Sequence, residues 1–377
     1  METPLTSTVL ETPLAKTHLS ASAKLGVWFG CALPDDFGDA AAEYRAARES
    51  VALIDKNYRA YLSFTGPDRV RYLNAILTNN IKDLAAGQGN VSLLLNPQGH
   101  ILAEIETYAF ADKLLCVSYA MIRERLIELL DKYIIMDDVT MTDDSERYGT
   151  LALEGPKTAD VAKSLSGIDL EQLSELAGVD AEIPRFAQDG IAGKSGTKDV
   201  IPCRIVKRSP GGVAGAEFVA ERGNLQELWQ ILADAARRVG GGPMGYSALS
   251  ALRLAQGVPW FGYDFGEKQI PHEAGLQNSH ISYTKGCYTG QEIVERVRSR
   301  GQVNRQRVQL SFSGNPLIEV VPEPGTTLTL DGKEVGYVTR AAKTWDPERT
   351  IGMGYVRREA SAAGSSLQWA HGSATVA

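Results

Sequence analysis

Cysteine is scarce in this sequence: four residues, Cys31, Cys116, Cys203 and Cys287, lie far apart along 377 positions. No CxxC pair occurs, and the five histidines make no ligand spacing with the cysteines, which excludes a disulfide framework and a self-contained structural zinc site. Long apolar runs are missing as well. No stretch approaches the roughly 18 apolar residues that a membrane-spanning helix needs. The N-terminal METPLTSTVLETPLAKTHLS lacks the basic-then-apolar order of a leader peptide, so a cytoplasmic protein is the expectation. Excess positive charge is absent too. A net charge of −7 and a sequence isoelectric point near 5.4 exclude non-specific binding to nucleic acid or an anionic membrane through the overall field, so any anion site must be local.

What is present is an ordinary globular composition, 44% hydrophobic and 23% charged, in a chain long enough for two or three cores. Two segments rhyme. YLSFTGPDRVRYLNAIL (61–77) and TLALEGPKTADVAKSL (150–165) each give an alternating strand, a Gly-Pro turn and a helix-period run. Each is followed by strands around a turn, Asn96-Pro-Gln-Gly99 in one unit and Pro210-Gly-Gly212 in the other, and then by a helix, 121–134 or 224–239. KLLCVSYA (113–120) adds a further strand to the first unit. This β-α-β-β-α order predicts an α+β protein with two related subdomains, antiparallel sheets backed by helices. A short helix over 246–256 follows the Gly240-Gly-Gly-Pro243 break, and from Asn304 the pattern turns to strands alone, which predicts a small C-terminal β-barrel or sandwich.

KGCYTGQEIVERVRSRG (285–301) carries the most local chemistry. Thr289-Gly-Gln-Glu292 has the spacing of a capping box, which places Thr289 at the N-cap of a helix from about Gly290 to Arg300 that Gly301 terminates. Cys287 then sits two residues before the cap, where the positive helix end and Lys285 lower a thiol pKa. A small residue in a tight turn is the alternative for Cys287. Arg296, Arg298, Arg300, Arg305 and Arg307 make the one strongly basic run; it reads as a solvated face or as a docking site for an anionic tail or acidic partner.

TPLAKTHLSASAKLGVWFG (12–30), the Gly-Pro repeats, LRLAQGVPWFGYDF (252–265), IPHEAGL (270–276) and DGKEVGYVTRA together resemble the glycine cleavage T-protein, the tetrahydrofolate-dependent aminomethyltransferase. KGCYTGQE, with Gly286, Tyr288, Gly290, Gln291 and Glu292, resembles the YgfZ branch of the same superfamily, folate-binding proteins of iron–sulfur cluster assembly and repair. The resemblance implies two ferredoxin-like subdomains and a C-terminal barrel around a central folate site. The expected parts are a 1–35 extension, subdomains at 36–147 and 148–243, connecting helices with the cysteine motif at 244–303, and a barrel at 304–377.

The resemblance also implies site residues. In HILAEIETY the first of the T-protein's two acids is met by Ala103 and the second by Glu104, one methylene longer, and group transfer is sensitive to displacements of about 1 Å. Tyr108 matches a folate-contacting tyrosine, whereas another pocket tyrosine is replaced by Val91. Glu217 matches the glutamate that hydrogen-bonds the pterin edge, a geometry suited to a carboxylate; a solvated edge-strand residue is the alternative. Arg253 matches an arginine beside the same pocket; a salt-bridging surface residue is the alternative. Three functions follow: a tetrahydrofolate-binding accessory protein for iron–sulfur enzymes with Cys287 as reactive thiol and Lys285 as its cation, a folate-dependent aminomethyltransferase using Glu104, or a binding module with a structural cysteine. The altered acid pair favours the accessory reading, without transfer. Tetrahydrofolate or a one-carbon derivative is the expected cofactor, iron–sulfur enzymes or assembly factors are the expected partners, and no metal is expected.

Overall fold

A computed structural model describes residues 9–185, 199–314 and 320–377. The first sheet has five strands in the order Gly89–Leu95, Ile101–Ala109, Leu114–Tyr119, Arg59–Thr65 and Thr140–Asp143. Its hairpin turns at Asn96 to Gly99, as the Pro-Gln-Gly sequence demands, in a register that sets Glu104 opposite Leu93 and Tyr108 opposite Gly89. Helix α1 (Arg69–Ile76) covers one face and buries Tyr72, Leu73 and Ile76.

The second sheet runs Gly178–Pro184, Val200–Lys207, Gly215–Glu221, Tyr148–Glu154, Ala52–Asp55 and Gly242–Pro243. The helices Thr158–Ser166 and Leu225–Arg238 pack Val161, Leu228, Trp229 and Leu232 onto it. Glu217 lies on an interior strand here, buried between Val206 and Ala152, which corrects the edge-strand alternative. Ala52–Asp55 is the other correction. Expected inside the first subdomain, it pairs instead with Tyr148–Glu154. The apolar Ala52, Leu53 and Ile54 suit a strand buried on both faces, and the strand is buried throughout.

Residues expected as an N-terminal extension are built into the fold. Lys24–Trp28 and Cys31–Asp36 form a three-stranded sheet with Leu10–Glu11, and the fully buried His18 reaches Asp55 at 2.7 Å. Helix α2 (Tyr246–Ala255) packs against this sheet and against the barrel. The barrel is closed, in the order Arg305–Gly314, Glu348–Arg357, Lys333–Trp345, Thr327–Leu330, Ser366–Trp369 and Gly372–Val376. It is fastened by Arg340, which donates to the buried Asp264 at 2.6 Å and lies 4.1 Å over the Trp260 ring. Among the described residues no helix is long and apolar enough to cross a membrane.

Candidate functional site

Between the two sheets lies a chain of buried acids and bases that the sequence only half announced. Lys56 and Arg59 come from DKNYR, the polar segment joining Ala52–Asp55 to the first sheet, and both are more than nine-tenths buried. Lys56 Nζ donates to Glu217 at 2.9 Å and lies 3.3 Å from Glu154. Arg59 grips both oxygens of Glu217, one at 2.9 Å, and approaches Glu106 at 3.4 Å. Glu106 also accepts from Arg208 Nε at 3.0 Å and from the Tyr108 hydroxyl at 2.8 Å. Arg253 donates to both oxygens of Glu154 and to Gln256 at 3.2 Å.

Burial opposes ionisation of Glu217, but the charges of Arg59, Lys56 and Arg208 win, and its carboxyl is held well below the ordinary carboxylate range. The same contest, settled by Arg253 and Lys56, keeps Glu154 low. Glu217 and Arg253 are therefore engaged by side chains of this chain, and the amino-pyrimidine partner expected for Glu217 would compete with Lys56 and Arg59. Tyr108 is a buried ring beside Val91, with its hydroxyl inside the network.

Glu104 stands apart from that network. One oxygen accepts from the Tyr119 hydroxyl at 2.7 Å and the other faces His280 Nε2 at 2.9 Å. Burial pushes its carboxyl up; the His280 contact, the Tyr119 hydrogen bond and the Arg208 charge outweigh burial and bring it below its ordinary value. Ala103, the lost acid, points into the first sheet's core and is fully buried.

Tyr58, Arg59, Glu104, Glu106, Val117, Ser118 and Tyr119 line a cleft of about 20 Å³, room for about one water. The donor set fits a pterin: carboxylates for its N–H edge, and the Tyr58 and Tyr119 rings, stacked 5.7 Å apart, for its plane. The space holds one only after side chains move, among them Arg59, which is lodged between Glu106 and Glu217.

The cysteine motif packs through Tyr288 onto Leu93, Leu95 and Ile101 of the first sheet, Leu93 being the cross-strand partner of Glu104. Helix α3 (Gln291–Arg300) begins and ends as expected to within a residue, but its cap is Gly290 and no side chain caps it. The capping box is not formed because Gly290 takes a left-handed conformation, φ 81°, against the Asn96-to-Gly99 turn. A β-carbon there would fall 2.7 Å from the Asn96 carbonyl oxygen. Glu292 faces solvent and pairs with Arg296 at 3.1 Å, and the Gln291 amide bonds the Tyr288 carbonyl at 3.2 Å. Gly301 closes the helix in the left-handed conformation.

Lys285, expected as the thiol's cation, is engaged with backbone carbonyls. Its ammonium donates to the carbonyls of Asn74, Leu77 and Asn79, closing the C-terminal end of α1, where a positive charge is favoured. Burial brings its pKa down to about 8. Tyr288 is buried among Leu93, Leu95 and Phe261 with Lys285 over its ring at 5.1 Å. Gly286 has open space around it. Cys287 is exposed, and the other three cysteines are buried. The arginine run is divided: Arg296 and Arg298 pair with Glu292 and Glu295, while Arg305 and Arg307 turn inward to Glu273 and the Ala274 carbonyl. The Arg300 side chain lies outside the described residues. Among the described residues no cluster of His, Cys, Asp or Glu is arranged to hold a metal.

The inner set of acids, bases and tyrosines lies between two sheets backed by helices, with a closed barrel docked alongside. Comparison with known proteins gives the family. The GCVT N-terminal domain matches residues 14–281 and the glycine cleavage T-protein C-terminal barrel domain matches residues 305–376; the chain belongs to the glycine cleavage T-protein family. The aminomethyltransferase of Streptomyces avermitilis is 26% identical over 356 residues, 94% of this chain and 91% of that protein. That of Herpetosiphon aurantiacus is 27% identical over 330 residues, 87% of this chain and 85% of the relative. The crystal structure of the glycine cleavage system aminomethyltransferase from Bartonella henselae shares the fold, with a TM-score of 0.83 at 22% identity, over 98% of this chain and 97% of that one. Aminomethyltransferases of this family use tetrahydrofolate as a one-carbon carrier.

Proposed function

We propose that this protein is a tetrahydrofolate-dependent one-carbon transferase of the aminomethyl class, with Glu104 at its reacting centre. The observation that carries the reading is the Glu104 carboxylate, oriented at the central cleft by Tyr119 and His280. Relatives spanning most of the chain bear the same activity in their names. Tetrahydrofolate, when bound, supplies the amine nitrogens that accept the one-carbon unit. Glu104, held as a carboxylate, is placed to accept a hydrogen bond from such an N–H and to stabilise positive charge that develops there. Tyr58 and Tyr119 supply flat faces. Glu217 contributes only if the incoming N–H edge displaces Arg59, a cost that argues for micromolar affinity, about −8 kcal/mol.

The experiment is single-turnover assay of the purified chain with tetrahydrofolate and an aminomethyl-loaded lipoyl carrier protein. Folate-dependent ammonia release, lost in Glu104→Gln, supports the proposal. No release above background in a folded sample that binds tetrahydrofolate refutes transfer.

A second reading is favoured by a different observation. Cys287 is the one exposed cysteine of the four, in a loop held at both flanks, by Lys285 on the end of α1 and by Gly290 on the hairpin turn. That suits a thiol presented to another protein, as in a tetrahydrofolate-binding accessory factor for iron–sulfur enzymes. The test is complementation. Under this reading Cys287→Ser folds normally but fails to restore iron–sulfur enzyme activity in a strain lacking the protein; full restoration removes it.

A further inference from the structure

His280 belongs to no motif, yet it is the best-anchored group at the central carboxylate. Its side chain is buried, its amide donates to the Leu276 carbonyl at 3.0 Å, and its carbonyl accepts from the Thr78 hydroxyl at 2.6 Å. Thr78 in turn accepts the Leu93 amide at 2.8 Å, so the backbone at His280 is pinned to the strand opposite Glu104. The ring is held at both nitrogens. Ser279 Oγ lies 2.7 Å from Nδ1, and Glu104 Oε1 lies 2.9 Å from Nε2. A carboxylate has no proton to give, so the Glu104 contact requires Nε2–H; the neutral ring then presents a lone pair at Nδ1, which a serine hydroxyl satisfies. Ser279 has one competing acceptor, the Leu276 carbonyl, at the much longer distance of 3.4 Å.

We propose that His280 is the positioning residue of the central site: with Ser279 satisfying Nδ1, it donates through Nε2–H to Glu104 and fixes the carboxylate plane toward the cleft. Tyr119 holds the second oxygen, so each oxygen keeps one lone pair for a ligand. The inference rests on Glu104 being the ligand-facing carboxylate, as proposed above. It adds that a residue from the segment leading to Lys285 and Cys287 controls that carboxylate.

The test has one readout without ligand and one with it. Long-range proton–nitrogen NMR of the ligand-free protein should show neutral His280 as the Nε2–H tautomer, retained in Ser279→Ala because Glu104 still requires that proton. A predominant Nδ1–H tautomer overturns the proposal whatever folate does. Calorimetric titration with tetrahydrofolate should then show about tenfold weaker binding in His280→Ala, the size of about 1.4 kcal/mol. Binding should return to within about twofold of wild type in His280→Gln, whose amide N–H can serve the same oxygen. The double variant Glu104→Gln/His280→Ala should bind no worse than Glu104→Gln, because His280 acts only through Glu104; an additive loss would mean a general structural role and overturns it. If Glu104→Gln weakens binding and His280→Ala does not, the positioning role alone fails. If Glu104→Gln binds like wild type, the proposed function fails with it.

Discussion

Replacing Glu217 with glutamine separates a structural carboxylate from a ligand contact. The Glu217 side chain is buried and accepts from Lys56 at 2.9 Å and from both terminal nitrogens of Arg59. Glutamine keeps the volume but removes the charge, and its amide nitrogen would point at cations. Lys56 retains Glu154 at 3.3 Å and Arg59 retains only Glu106 at 3.4 Å, so Arg59 bears most of the loss. Stranding one partner of a buried pair costs about 3–5 kcal/mol, and the residual contacts place this variant at about 3 kcal/mol by the same principle. Urea unfolding with an unchanged m-value measures it. The pH dependence gives a second check. Because the fold lowers the Glu217 pKa, its contribution is fully present above the ordinary value of 4.5 and is lost as pH falls through the folded value, so the acid limb of stability should be shallower in Glu217→Gln. A destabilisation below about 1 kcal/mol, within the range of surface pairs, with a parallel acid limb, would refute the buried network.

Three further outcomes follow from the geometry. Gly290→Ala should destabilise by about 1–2 kcal/mol, since a left-handed conformation is strained with a β-carbon, and its contact with the Asn96 carbonyl adds to that; thermal unfolding measures it. Lys285→Met should cost about 2 kcal/mol by removing the charged donor shared by three carbonyls at the end of α1, and hydrogen exchange at α1 and the Asn79 turn should quicken while the barrel stays protected. Cys287→Ser should leave the melting temperature unchanged, since the side chain is exposed, and should leave single-turnover transfer unchanged if Glu104 is the reacting centre.

Most of the architecture was legible. Both hairpins, their backing helices and the barrel strands follow from alternation, helical periodicity and Gly-Pro turns, signals that are local. The strand Ala52–Asp55 falls inside the expected 36–147 span yet pairs in the second sheet, because a short apolar run states that it is buried but not in which sheet. At the site, Glu104 and Tyr108 come from a hairpin whose register the turn fixes, so their place on the first sheet could be anticipated. Lys56 and Arg59 could not. In DKNYR they look like loop charges, and only the return of Tyr148–Glu154 and Gly215–Glu221 from about ninety and one hundred and sixty residues away encloses them with Glu154 and Glu217. His280 was missed for the same reason, lying 176 residues from Glu104. For Lys285, spacing suggested a thiol partner, and only the folded chain brings the three carbonyls at the end of α1 to its ammonium.

The proposed transfer requires a folate nitrogen to meet Glu104 in the cleft between the sheets. A crystal structure of the protein grown with tetrahydrofolate tests it most directly. The expected structure has the pterin against Tyr58 and Tyr119 with an N–H at Glu104, the Glu104 contacts to His280 and Tyr119 intact, and the Arg59 side chain withdrawn from between Glu106 and Glu217. A pterin bound elsewhere, or a central cleft still closed by Arg59 on Glu217 at saturating ligand, would contradict it.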